Sequence, residues 1–394
     1  MSWFNKQEKP QKVGLVLTGG GAKAAYQVGV IKAILEVLPE RCENPFPVIA
    51  GASAGAINST FMAAYAHRPR IGIRRLEQAW TSLHVSHIYH VSWSYLIRNT
   101  FRWLGQFLRA SSVKRKPLSL FFNDPLRRFL TKVIPLPKIE QNINNGNLYA
   151  VSITAYGYYS GDSVTFYEAD SQVTNWNRYH RIGIKEHLNI KHLMASAAIP
   201  LFFPAEKINR EYFGDGSVGL LSPISPSLHM GADKIIVIST DSANKRPINR
   251  PLRVQYPTLA DIGGKLMDSI FTDSLESDVE RLERINHTLE LIPDKYLSQN
   301  GNQLKHVDIL RFSPEFDIDA LANKHFEKLP KLLKFFLKRA GINGEDGANI
   351  LSYLLFEKAF TKELIKKGYE DGITAKNSIL NFFSEPETGE IANN

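Results

Sequence analysis

The amino-acid sequence predicts an α/β protein, a three-layer α/β/α sandwich around a mostly parallel central sheet. The first apolar run, Val13 to Leu17, ends on three glycines and is followed by a helical pattern from Tyr26 to Leu38. A second run, residues 45–50, ends in the turn 51–55 and continues into an alanine-rich helical pattern at 56–66. Short, continuous apolar runs are typical of buried strands. Strands that alternate with helices build parallel sheets.

Further apolar runs predict the rest of the sheet. Strands are expected at 148–154, 164–167, 234–240 and 308–312. Asp215-Gly216 is the usual signal of a two-residue hairpin turn, which predicts a hairpin of strands 208–213 and 217–221. Helical patterns cover most of 259–292 and the chain from residue 320 onward.

The length of 394 residues allows one large domain with an appendage, or two domains. We expect a main domain at 12–316 that carries an insertion at about 78–123. A helical extension is expected at 317–382, followed by a disordered tail at 383–394.

Composition excludes several classes of protein. Hydrophobic residues are 43% and charged residues 22% of the chain, which excludes collagen-like, coiled-coil and wholly disordered proteins. The net charge of +9 favours anionic partners such as phospholipid surfaces or nucleic acid. The single cysteine, Cys42, cannot form an intramolecular disulfide and indicates a reducing, cytoplasmic compartment. We recognise no secretory signal and no apolar run of about 18 residues that would predict a transmembrane helix.

Gly51-Ala52-Ser53-Ala54-Gly55 has the pattern G-x-S-x-G between a predicted strand and a predicted helix. In that context a tight turn lifts the Ser53 hydroxyl off the sheet, and small residues at Gly51 and Gly55 relieve the strained backbone. The N-terminus of the following helix stabilises negative charge. Without that context the pattern describes only a glycine-rich turn between a strand and a helix.

Gly19, Gly20 and Gly21 follow the first strand, and their N–H groups can converge on an oxyanion or a phosphate. The same residues begin a G-x-G-x-x-A dinucleotide pattern, which requires an acidic residue after the second strand. That strand ends in Gly51-Ala52-Ser53, without an acid. An oxyanion loop beside a nucleophile therefore fits better than a cofactor site. The sequence predicts no cofactor and no metal.

A serine nucleophile needs a base. The later histidines, such as His229 and His287, lie in no recognisable catalytic context. Phe213-Gly214-Asp215-Gly216-Ser217 offers a carboxylate instead. On its own, Asp-Gly more often marks a hairpin turn than a base. A carboxylate in a loop can still reach across to a nucleophile.

These three motifs, in this order, resemble the patatin-like phospholipases, a family of acyl hydrolases with a Ser–Asp dyad. Supporting segments are Ala195 to Pro200 before the aspartate and Ser222 to Pro226 after it. The resemblance implies Ser53 as nucleophile and Asp215, with Gly216 in its motif, as proton acceptor. It also implies that Gly19, Gly20, Gly21 and Lys23 bind the oxyanion through backbone N–H groups.

The resemblance further implies a lipid acyl hydrolase of the phospholipase A or lysophospholipase type, acting on a phospholipid or lysophospholipid. A thioesterase or acyltransferase on the same dyad is the first alternative. A non-catalytic module that binds membrane or nucleic acid is the second. The intact Ser53, Asp215 and glycine loop argue against that second alternative. Basic residues rarely interleave with aromatic ones outside the insertion, so membrane ranks above nucleic acid. The sequence does not indicate an oligomeric state.

The insertion is basic and aromatic, with no Asp or Glu from Gln78 to Asn123. On a helix, its apolar side chains would share one face and its arginines the other. Such a helix either lies on an anionic membrane or packs on the domain with its arginines solvated, and the pattern does not choose between the two. The residues expected at a membrane are Trp93, Arg98, Phe101, Arg102 and Arg109.

Overall fold

The computed structural model describes residues 11–41, 43–89, 119–242, 273–293, 304–339 and 348–384, together with the single positions 262, 265 and 269. Within these residues the chain forms one mixed sheet flanked by helices, an α/β sandwich as predicted.

The strands run in the order β10-β9-β1-β2-β3-β4-β6-β5, with β8 pairing to the end of β3 and β7 to β8. Strands β10, β9, β1, β2 and β3 are mutually parallel. Parallel neighbours end at the same edge of a sheet, so the loops after β1 and β2 lie side by side. The strand bounds are β1 (Val13–Leu17), β2 (Val48–Ala52), β3 (Ala150–Gly157), β4 (Ser163–Ala169), β5 (Trp176–Arg178), β6 (Arg181–Lys185), β7 (Glu206–Ile208), β8 (Glu211–Gly214), β9 (Lys234–Ile238) and β10 (Asp308–Phe312).

Helices cover both faces of the sheet, and two short 3-10 turns lie at Gly21–Ala24 and Phe326–Lys328. The helices are α1 (Ala25–Val37), α2 (Ala54–Ala64), α3 (Pro69–Thr81), α4 (Val85–Ile88), α5 (Asp124–Val133), α6 (Pro137–Asn144), α7 (Ile190–Ser196), α8 (Ser225–His229), α9 (Asp273–Glu290), α10 (Ile318–Lys324), α11 (Lys331–Arg339), α12 (Ala348–Leu354), α13 (Lys358–Thr374) and α14 (Lys376–Phe383).

Alternation along the strands divides the core into two layers. In β9, Ile236 and Ile238 face the larger layer, which includes α1, α2, α3 and the C-terminal helices. Ile235 and Val237 face the smaller layer, which includes α9. Successive strand residues point to opposite faces, so a strand that is apolar throughout is buried on both sides. The sheet and the helical layers on its two faces are the three layers that the sequence predicts.

The predicted hairpin around Asp215-Gly216 is wrong. The hairpin pairs β7 with β8, and its turn lies at Asn209-Arg210. Asn209 adopts φ 52°, in the left-handed region that asparagine tolerates better than most residues. Residues 217–221 form turns instead of a strand. Asp215 therefore follows the end of β8, and its backbone is not held in a two-residue turn.

The C-terminal helices pack into the same core as the N-terminal half. α13 lies against α1 so closely that a Cβ on Gly29 or on Gly368 would collide with the backbone of the other helix. The Tyr26 hydroxyl donates to the Asp371 carboxylate at 2.8 Å. Two glycines facing each other permit this approach of the two helix backbones.

Helices long and apolar enough to cross a membrane do not occur in the described part of the chain.

Candidate active site

Ser53 occupies a strained turn between β2 and α2. Its backbone has φ 54° and ψ −130°, a combination that non-glycine residues rarely adopt. A Cβ on Gly55 would collide with the Leu17 carbonyl oxygen, and one on Gly51 would lie 2.5 Å from the Gly55 carbonyl oxygen. The two glycines of the motif therefore let α2 start directly against the end of β1. This is the arrangement expected of a nucleophile elbow.

The Ser53 hydroxyl lies 2.6 Å from Oδ2 of Asp215 and donates to it. Ser53 follows β2. Asp215 follows β8, which pairs with the last two residues of β3, the strand next to β2. The Asp215 N–H donates to the Ala198 carbonyl at 3.0 Å. A Cβ on Gly216 would collide with the Thr154 carbonyl oxygen, so glycine is needed there. Sheet topology thus brings together two residues separated by 162 positions.

Burial raises the pKa of the Asp215 carboxyl from 3.8 to about 7, because the charged form loses its hydration. Hydrogen bonds from the Ser53 hydroxyl and from the Ser217 N–H act in the opposite direction. The side chain of Asp215 is fully buried. Near neutral pH this carboxylate therefore accepts a proton far more readily than an exposed aspartate does.

Ser196 holds the elbow in place, and sequence reasoning did not assign it to the site. Its hydroxyl accepts the Ser53 N–H at 2.9 Å and donates to the Thr154 carbonyl at 2.6 Å. Its own carbonyl accepts the Gly216 N–H at 3.0 Å. Ser196 therefore contacts the backbone of both loops, the one that carries Ser53 and the one that carries Asp215. The available signal was its place in the Ala195–Pro200 segment that resembles the family.

The glycine loop lies beside Ser53. Gly20 has φ 155° and Gly21 has φ 55°. A Cβ on Gly20 would collide with the Thr240 side chain, and one on Gly21 with the Tyr353 carbonyl oxygen. Within the described residues, the N–H groups of Gly20 and Gly21 donate to no protein acceptor. Such free donors next to a nucleophile suit an oxyanion.

The backbone N–H and the side-chain ammonium of Lys23 both have partners. Its N–H donates to the Gly20 carbonyl at 3.1 Å, and its buried ammonium pairs with Asp241 at 3.1 Å. The ammonium also lies 3.9 Å from the centre of the Tyr353 ring. Burial alone would lower the pKa of Lys23, but Tyr353 and the carboxylates of Asp241 and Asp319 outweigh it and raise the pKa above its usual value. Lys23 is thus a charged anchor beneath the loop.

A buried polar network joins the glycine loop to the elbow helix. Gln27 on α1 donates to the Thr18 carbonyl at 2.8 Å and accepts from Asn58 at 2.9 Å. Asn58 on α2 also donates to the Ala24 carbonyl and accepts the Trp80 indole N–H at 2.8 Å. Gln27 and Asn58 are fully buried. A buried network with its hydrogen bonds satisfied rigidifies the groups that it connects.

Ser53 and Gly21 line an apolar cavity. Most of its wall is formed by helices. The lining residues of each helix are three or four positions apart, which places them in a stripe on one face of that helix. Along α2 the stripe advances from Ala54 to Phe61, roughly 10 Å at 1.5 Å per residue. The stripes are Ala54, Ile57 and Phe61 on α2, Leu76, Trp80 and Leu83 on or just after α3, and Leu126, Leu130 and Val133 on α5.

Several predictions lie outside the described residues. These are Cys42 and the five residues expected at a membrane, Trp93, Arg98, Phe101, Arg102 and Arg109.

The patatin-like phospholipase family model matches residues 15–226, more than half of the chain. The chain therefore belongs to the patatin-like phospholipase family. Membership makes it a lipid acyl hydrolase in general terms. No curated protein sequence matches the chain.

Comparison with solved structures matches the chain to the two proteins that follow, among others. Human GIVD cytosolic phospholipase A2, in complex with methyl γ-linolenyl fluorophosphonate, is 10% identical with a TM-score of 0.45, and the match covers 97% of this chain and 60% of that one. VipD from Legionella pneumophila is 11% identical with a TM-score of 0.32, and the match covers 94% of this chain and 67% of that one. The chain thus spans about three fifths of the length of the human enzyme.

Proposed function

We propose that this protein hydrolyses fatty-acyl esters of phospholipids or lysophospholipids through a Ser53–Asp215 dyad. The observation that carries the proposal is the 2.6 Å hydrogen bond to a fully buried carboxylate from the hydroxyl of Ser53, a residue that lines an apolar cavity. Each methylene of a ligand that is buried in such a cavity contributes about 0.8 kcal/mol to the free energy of binding. The acyl chain, and not the polar part of the substrate, is the portion that the cavity would take up.

In the proposed reaction, Asp215 accepts the hydroxyl proton while Oγ of Ser53 attacks the ester carbonyl carbon. The carbonyl oxygen becomes an oxyanion that the N–H groups of Gly20 and Gly21 stabilise. The tetrahedral intermediate collapses, the alcohol leaves with the proton from Asp215, and the acyl group stays on Ser53. Water then gives a proton to Asp215 and attacks the carbonyl carbon of the acyl-enzyme. When this second tetrahedral intermediate collapses, the bond to Oγ of Ser53 breaks, Asp215 returns the proton to Oγ, and the fatty acid is released.

The dyad requires no histidine. Within the described residues, neither the Ser53 hydroxyl nor the Asp215 carboxylate hydrogen-bonds one. A thioesterase or acyltransferase would use the same two groups, so the alternatives differ only in the leaving group and in the acyl acceptor. Products made from a phospholipid extract and from an acyl thioester distinguish them.

A lipid surface is the proposed setting for the reaction. The side chains of Leu120 and Leu201 are 41% and 57% exposed, and the Leu120 N–H donates to the Leu201 carbonyl at 2.8 Å. Phe203, two residues further on, lines the cavity. Exposed apolar side chains close to a residue that lines the cavity favour contact with lipid.

The test uses a matched pair of serines. Ser222 also donates to a buried aspartate, Asp278, at 2.6 Å, but it lies in a loop held to α9 and does not line the apolar cavity. Wild type and Ser222→Ala should react with a fluorophosphonate probe and release fatty acid from a mixed phospholipid extract, measured by lipid mass spectrometry. Ser53→Ala should do neither. Hydrolysis by Ser53→Ala at the wild-type rate would falsify the proposal.

A further inference from the structure

The residues that match the family model end at Pro226, yet a later segment reaches the site. Residues 353–361, called the C-terminal segment below, run from the end of α12 into the first turn of α13. The Tyr353 carbonyl lies against Gly21, and its ring lies over the Lys23 ammonium at 3.9 Å. The backbone of the glycine loop is therefore shaped in part by residues more than 300 positions later.

Phe356 of the C-terminal segment lies on the wall of the apolar cavity. Its ring stacks on Trp80, with centroids 6.3 Å apart and an interplanar angle of 20°. Trp80 lines the same cavity and is fixed at its indole N–H by Asn58. The two aromatic rings thus form one continuous part of the wall, supplied by distant parts of the chain.

Hydrogen bonds on both sides of Phe356 hold it there. Before it, the Leu354 carbonyl accepts the Tyr89 hydroxyl at 3.0 Å. After it, the Thr361 hydroxyl donates to the Trp80 carbonyl at 3.1 Å, and the Glu357 carboxylate accepts the Val85 N–H at 3.4 Å. These partners lie on α3, on α4 and at Tyr89, and α3 and α4 also supply cavity-lining side chains. Phe356 is therefore anchored to the structure that it lines.

We infer that Phe356 determines specificity for the acyl chain of the substrate. The inference rests on the proposed function, because it assigns the acyl group to this cavity. A long acyl chain would contact the phenyl ring, whereas an acetyl group, with one methyl beyond the carbonyl, ends at Ser53. Removal of the ring takes apolar contact from long chains and leaves the reacting atoms unchanged.

Phe360 provides the matched control. It is fully buried in the first turn of α13, four residues after Phe356, and does not line the cavity. Its ring packs at 6.1 Å from the ring of His325. Truncation to alanine removes the same atoms at both positions. Both variants should lose stability, since truncation of a buried phenylalanine removes apolar contacts and leaves a cavity.

The experiment compares kcat/KM for p-nitrophenyl octanoate with kcat/KM for p-nitrophenyl acetate. Phe356→Ala should lower the octanoate-to-acetate ratio by about tenfold or more, the lower end of what one methylene contributes in an apolar pocket. Phe356→Leu should restore most of the ratio, and Phe360→Ala should leave it at the wild-type value. An unchanged ratio in Phe356→Ala, or an equal fall in Phe360→Ala, overturns the inference.

A binding measurement separates this inference from the proposed reaction. In the Ser53→Ala background, calorimetry measures the affinity of the cavity for sodium dodecanoate in the absence of catalysis. Phe356→Ala should weaken dodecanoate binding and Phe360→Ala should not. If the wild type hydrolyses no ester but this difference is found, the proposed function fails, and what stands of the inference is that Phe356 contacts acyl chains bound in the cavity. Equal dodecanoate affinity in the two variants overturns the inference whatever the activity.

Discussion

We expect hydrolysis of a soluble ester to follow the ionisation of Asp215. The carboxyl is fully buried, and its pKa is raised from 3.8 to about 7. Only the carboxylate form can accept the Ser53 proton. kcat/KM should therefore rise tenfold per pH unit below pH 7 and level off above about pH 8. At pH 5 about one molecule in a hundred carries the carboxylate, so the rate should be about 100-fold below the plateau.

An exposed aspartate as base would give a different profile. With a pKa near 3.9, it would be ionised throughout the range from pH 5 to pH 9, and kcat/KM would stay flat there. The position of the inflection thus reports the burial of Asp215. Steady-state hydrolysis of p-nitrophenyl acetate between pH 5 and pH 9, corrected for spontaneous hydrolysis, measures it.

Two variants complete this test. Asp215→Asn keeps the shape of the side chain but cannot accept the proton, so kcat/KM at pH 8 should fall by at least about 10²-fold. Asp278→Asn changes the other buried carboxylate that accepts a serine hydroxyl at 2.6 Å, and it should leave the profile unchanged. A flat wild-type profile from pH 5 to pH 8, or an Asp215→Asn variant that retains full activity, refutes the reasoning.

The remaining predictions concern the fold, the elbow and the membrane. Above pH 7 the native state must bury the Asp215 charge, a cost of about 4 kcal/mol relative to pH 4, so Asp215→Asn should gain stability over the wild type at pH 8 but not at pH 4 in urea unfolding. Ser196→Ala leaves the buried Ser53 N–H without its acceptor, and should lower kcat more than it raises KM while the midpoint of urea unfolding falls only modestly. From the sequence pattern, Arg98, Arg102 and Arg109 changed together to Gln should weaken binding to anionic liposomes by up to ~10²-fold in low-salt flotation, and spare acetate ester hydrolysis. Binding that ignores both the substitutions and the salt concentration contradicts that last prediction.

Local sequence patterns were sufficient for the elements around the elbow. Val13–Leu17 and Asp308–Phe312 are strands with the predicted bounds. The helices after β1 and β2 begin within two residues of the predicted positions. The signals there are local, because an apolar run that breaks on glycine encodes a buried strand and its turn within a few residues. The order of the three motifs indicated the family for the same reason.

The hairpin is a feature for which a local sequence signal, Asp215-Gly216, predicted the wrong position of the turn. Asp-Gly is a strong turn signal, but Asn209-Arg210 six residues earlier supplies the turn. The chain after β8 is instead held by bonds to residues 196 and 198, more than 15 positions away. No local pattern contains those partners. The role of Ser196 escaped sequence reasoning for the same reason.

By itself, the sequence predicted which residues carry the chemistry and where most of the short strands lie, because these predictions depend on residue type and nearest neighbours. Only the tertiary structure decided what surrounds them. Sheet topology places Asp215 against Ser53, and burial raises the pKa of its carboxyl to about 7. The C-terminal helices pack into the main core and bring Phe356 to the cavity. Burial and cavity shape are sums over contacts between remote segments, which a pattern along one chain does not contain.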